Sequence, residues 1–251
     1  IILCLIPLAL LTGPFIPDLF LSIISLLFII ITFKKKLWNY YYNKFFIFFI
    51  TFYFYFIFSS LISTNIVFSL EYSLFYFRFG FFALTIWYLL ENDVKLIKKF
   101  TISLLVIFIF AIIDGYHQYF FGNSIFGFAN NSANRLNLPL NDKMILGGYL
   151  SRLFPLLFGL IIYNFSKEKK YVFLAFVLLI SIDCLIFLTG ERTALGLLFL
   201  STIMMLLITS KFKLLRIITL IISIIVICFF ALSNNSIKER NIDYTVAQIS
   251  G

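Results

Sequence analysis

Five of the six arginines, Arg78, Arg135, Arg152, Arg192 and Arg240, stand apart from the lysine clusters that carry most of the chain's positive charge. A guanidinium is a planar fork of donors that grips a phosphate or a carboxylate at two points. Glu191 immediately precedes Arg192, and Asp183 lies about two helical turns before that pair. Glu71 lies about two turns before Arg78, so the two share a helix face. These residue types suit the holding of an anionic group. His117 is the only histidine. Its ordinary pKa near neutrality would suit a general base, but no carboxylate partner can be assigned to it. Cys4, Cys184 and Cys228 each sit inside an apolar run and read as small buried hydrophobes. No Cys/His spacing suits a metal, and no cofactor is expected.

The elements that must position these residues are helices in lipid. Of 251 residues, 62% are hydrophobic and 12% charged, and the mean hydropathy is +1.06. Soluble domains carry about 45–50% apolar and about 25% charged residues. That excludes a soluble enzyme. Runs such as 45–62 do not alternate, which argues against a barrel. The expected fold is an all-α polytopic transmembrane bundle, a single domain over 1–251. Its nine spans lie at roughly 1–12, 17–33, 45–62, 72–90, 100–113, 147–165, 171–188, 194–209 and 217–232. Several need their ends extended to reach the roughly 20 residues of a spanning helix. The chain opens at Ile1 inside an apolar run and closes at Gly251 soon after a polar stretch begins, and so reads as a fragment.

Alternate loops hold 12 of the 14 lysines but only one arginine, Arg216. The positive-inside rule places those loops in the cytoplasm. The long connection of about 114–146, and a second one starting at about 233–251, then lie outside. The net charge of +9 is thus a topology signal and implies no nucleic acid. Arg78, Arg152, Asp183, Glu191 and Arg192 fall in the outer half of the membrane. Arg78 can snorkel toward Glu71, Arg152 toward the interface, and Arg192 can pair locally with Glu191. Asp183 is expected to pair with one of these arginines. Collectively they suit a phosphate or diphosphate lying in the outer leaflet. The external loop is rich in Asn, Gly and aromatic residues, which suit either sugars or an interfacial belt.

Motifs in order along the chain are Asp114, Gln118 and Phe121-Gly122; Arg135-Leu136; Asn141-Asp142; Gly147-Gly148-Tyr149, Arg152 and Pro155; and Thr189-Gly190-Glu191-Arg192-Thr193. Together, over about 70–210, they resemble the O-antigen ligase and polymerase family of bacterial inner-membrane proteins. The resemblance implies a GT-C-like, metal-independent glycosyltransferase with a periplasmic active face. Its donor would be a glycan on undecaprenyl diphosphate, and its acceptor the lipid A core or a growing glycan. It implies that Arg192, with Arg152 and Arg78, holds the diphosphate. Glu191, Asp183, Arg135, Gln118 and Asp114 would be supporting residues. The base would be a histidine in the external loop that begins near Ser233, and His117 does not match it. Ligase and polymerase share these motifs, and a small-solute or bicarbonate-like transporter remains the alternative class.

Overall fold

The computed structural model describes residues 2–128, 135–165, 169–209 and 212–233. Among them the regular elements are helices: α1 (Ile2–Ala9), α2 (Phe15–Lys35), α3 (Lys44–Leu61), α4 (Ile66–Leu74), α5 (Phe77–Asn92), α6 (Lys95–Phe121), α7 (Leu146–Phe165), α8 (Lys169–Thr189), α9 (Arg192–Ile208) and α10 (Lys213–Ser233), with two short 3-10 turns. Seven helical stretches are long and apolar enough to cross a membrane: α2, α3, Ile66–Asn92, α6, α7, Lys170–Thr189 and Lys213–Phe230. The chain is a helical membrane protein. α3 shows why only lipid suits it. Phe45, Phe48, Phe52, Tyr55 and Phe58 are all exposed along its length. A helix that is apolar all round has no water-facing side.

Two of the nine expected spans fall short. Ile2–Thr12 is brief, and α9 has 17 residues. At 1.5 Å per residue α9 reaches about 26 Å against about 30 Å of hydrocarbon. Two boundaries also move. The apolar stretch expected at 72–90 starts earlier and is broken at Phe75–Tyr76, which puts Arg78 in the first turn of α5. α6 does not stop at residue 113 but runs on to Phe121, so Asp114, His117 and Gln118 are helical and not in a loop. Asp114 and Gln118 are one turn apart and both fully buried, so the helix continues with a polar stripe turned inward. Gly122, at φ +80°, ends it.

Two compact units make up the chain: residues 1–6 with 14–100, and residues 7–13 with 101–251. In the first, α2 packs on α5 through the buried Ile24, Phe28 and Leu84. Ser25 Oγ donates to the carbonyls of Leu21 and Arg78 at 2.8 Å each. Asn43 caps α3 by accepting from the Phe46 amide at 2.7 Å. In the second, α7 packs on α8 and α9, and α8 on α10. Leu150, Phe154 and Leu157 on α7 and Ile182, Leu185 and Ile186 on α8 are all buried in its core.

Candidate functional site

The second unit brings four of the expected residues, Arg135, Arg152, Glu191 and Arg192, near one tight connection. α8 ends at Thr189, Gly190 takes φ +68°, and α9 starts at Arg192. Glu191 stands at the N-cap of α9, yet its side chain makes no capping bond to that helix. Its carboxylate instead accepts from the backbone amides of Gly147 (2.8 Å) and Gly148 (2.9 Å) at the start of α7. An anion there satisfies orphan amides and meets the positive end of the helix dipole. The two glycines make room for it. A Cβ on Gly147 would lie 2.4 Å from Thr189 Oγ1 and 3.1 Å from Glu191 Oε1, and one on Gly148 would lie 3.2 Å from Oε2. The Gly-Gly and Gly-Glu-Arg motifs, far apart in sequence, are therefore two halves of one joint.

Glu191 thus ties the start of α7 to the α8–α9 turn, a role that its place beside Arg192 in the sequence did not indicate. Burial raises the Glu191 carboxyl above the ordinary glutamate range. The Gly147 and Gly148 amides and the charges of Arg135 and Arg152 draw it back down. Arg135, Arg152 and Arg192 are all exposed. Arg152 lies one turn beyond Gly148, on the same face of α7.

Below Arg152 an open groove of about 560 Å³ runs between α7 and α9. Its α7 wall is Ser151, Arg152, Pro155, Phe158 and Gly159. Its α9 wall is Leu197, Leu200, Ser201, Met204, Met205, Ile208 and Thr209. The lining is apolar apart from Arg152 and three hydroxyls. Such a groove accepts a hydrocarbon chain and leaves a charged head beside Arg152.

The remaining expected residues sit elsewhere. Arg78 belongs to the first unit, where Nη2 donates to Asp18 Oδ2 at 3.0 Å, so its partner is Asp18 and not Glu71. The break before α5 puts Arg78 in its first turn, and α2, packed on α5, brings up Asp18. Asp114 accepts from Gln118 Nε2 (2.6 Å), Ser124 Oγ (2.9 Å) and the Ile125 amide (2.7 Å). Gln118 also exchanges two bonds with the Asn137 backbone, at 3.1 and 2.8 Å. Asp114, Gln118 and Asn137 are all 0% exposed and staple the connection onto α6. His117 Nδ1 donates to the Asn123 carbonyl at 2.9 Å, which fixes the end of the same helix.

Asp183 pairs with none of the arginines expected of it. Its partner is Arg216, expected in a cytoplasmic loop but fully buried on α10. The sequence held the signal. Arg216, Thr219 and Ser223 recur at helical spacing on one face of an otherwise apolar helix, and all three are buried. No family model, curated protein or solved structure matches this chain. A functional reading therefore rests on the residues themselves. The base expected in the external loop after Ser233 lies outside the described residues, as does Arg240.

Proposed function

We propose that this protein transfers a glycan from undecaprenyl diphosphate, held in the outer leaflet, to an acceptor sugar. The observation that carries this reading is the apolar α7–α9 groove with Arg152 at its lip, beside the joint that presents Arg192. The polyprenyl chain lies in the groove, and its diphosphate is held by Arg152 and Arg192, with Arg135 close by. A diphosphate is already a good leaving group, so guanidiniums gathered around it stabilise its departing charge. The acceptor is the lipid A core in a ligase or the growing glycan in a polymerase. The clamp is drawn from the second unit alone; Arg78 pairs with Asp18 in the first, and Asp183 with Arg216. A carrier would instead need charged groups open to a central cavity, and Asp183 and Arg216 are closed off by one another.

The test is glycan transfer by the full-length protein, with membrane expression checked separately. Lysine keeps the charge but loses the fork. Arg192→Lys is therefore expected to lose about 30- to 1,000-fold in transfer rate, from roughly 2–4 kcal/mol of lost charged hydrogen bonding. Transfer at the parental rate would make Arg192 structural and remove the clamp.

A further inference from the structure

We propose that Asp183, Arg216 and Thr202 form a positioning set that fixes α9 as one wall of the α7–α9 groove. The ion pair is deeply buried, with Arg216 1% and Asp183 3% exposed. It is also bidentate: Arg216 Nη1 donates to Asp183 Oδ2 at 2.7 Å, and Nη2 to Oδ1 at 3.0 Å. Nη2 donates further to Thr202 Oγ1 at 2.6 Å, and the guanidinium carbon stands 5.0 Å from the centre of the Phe154 ring. Ser223 Oγ donates to Asp183 Oδ2 at 3.0 Å. From α10, one side chain thus touches α7, α8 and α9. Thr202 directly follows Ser201, a groove residue, and Phe154 directly precedes Pro155, another. Both walls of the groove are referred to one guanidinium.

The energetics explain why this is a positioning device and not a source of stability. Desolvating two charges offsets most of their attraction, and well-packed apolar residues of like volume often serve stability equally well. An apolar substitute cannot choose the rotation and height of α9. Its residues are nearly all apolar, and lipid offers no hydrophobic drive toward one face over another. Only one setting of α9 brings Thr202 Oγ1 to the second prong of a fork already seated on Asp183. Charged groups within membrane spans are expensive, and a registry role is a known use of buried polar groups.

The proposal rests on the lipid-diphosphate reading only for what the groove holds. Its test needs no ligand. Spin labels are placed at Gly159→Cys on α7 and Met204→Cys on α9, both exposed groove positions, in the full chain with Cys4 and Cys228 replaced by alanine. A side chain at Gly159 meets no atom within 4 Å. With the set intact, one narrow distance distribution is expected. Thr202→Val keeps the shape but removes the acceptor on α9, and should broaden the distribution or add a second distance. The double variant Asp183→Leu/Arg216→Met should melt within a few degrees of the parent while broadening the distance in the same way. A narrow parental distance in either variant overturns the proposal. Failure of a lipid diphosphate to bind, with the distances behaving as expected, would count against the groove's assigned ligand and not against the positioning set.

Discussion

Glu191 is the residue on which the joint turns, and its burial has a measurable consequence. Because its folded carboxyl titrates above the ordinary glutamate range, folding binds protons as the pH falls toward that range. Its contribution to stability is full below the unfolded value and is lost as pH rises through the raised folded value. Glu191→Gln should therefore flatten the pH dependence of melting in that window. Melting curves of parent and variant that rise in parallel as pH falls would contradict this. Gly147→Ala would drive a methyl to 2.4 Å from Thr189 Oγ1 and should cost about 1–3 kcal/mol in melting experiments. At Gly196, where a Cβ meets nothing, alanine in a helix should gain about 0.5–1 kcal/mol. The arginines and Glu191 were legible as residue types that suit an anion. What stayed hidden was which oxygen faces which amide, because Gly147 and Glu191 are joined only by tertiary packing.

At the scale of elements, hydropathy located nearly every helix, and polar residues misled wherever packing turned them inward. Asp114, His117 and Gln118 read as the start of a loop because a run of apolar residues ends there. They continue α6 because Ser124, Ile125 and Asn137 supply hydrogen-bond partners that no local pattern reveals. Arg216 misled for the same reason, since its neutralising carboxylate lies on another helix. Asp114→Ala would leave Gln118 Nε2 its bond to the Asn137 carbonyl and Ser124 Oγ its bond to the Pro139 carbonyl but take the acceptor from the Ile125 amide, at about 1–3 kcal/mol. It should speed hydrogen exchange at the Ile125 amide well before it affects α2 or α5. Unchanged exchange at Ile125 would mean that the connection does not depend on this staple.

For the whole molecule, the lysine asymmetry gives an orientation. A membrane-impermeant thiol reagent applied outside should label Asn123→Cys and spare Asn43→Cys; the reverse pattern would invert the arrangement. Transfer should also survive chelators, since the clamp proposed is made of guanidiniums, and activity lost in EDTA and restored by magnesium would refute that. In the proposed function a polyprenyl diphosphate lies along the α7–α9 groove with its head at Arg152. That placement is tested most directly by a photoreactive polyprenyl diphosphate carrying its reactive group on the chain, added to the full-length protein in bilayers. Labelling is expected on α9 between Leu197 and Thr209, reduced at least tenfold in Arg152→Ala and competed by unlabelled lipid diphosphate. Labelling spread over α3 and the other exposed helices, or unchanged in Arg152→Ala, would contradict it.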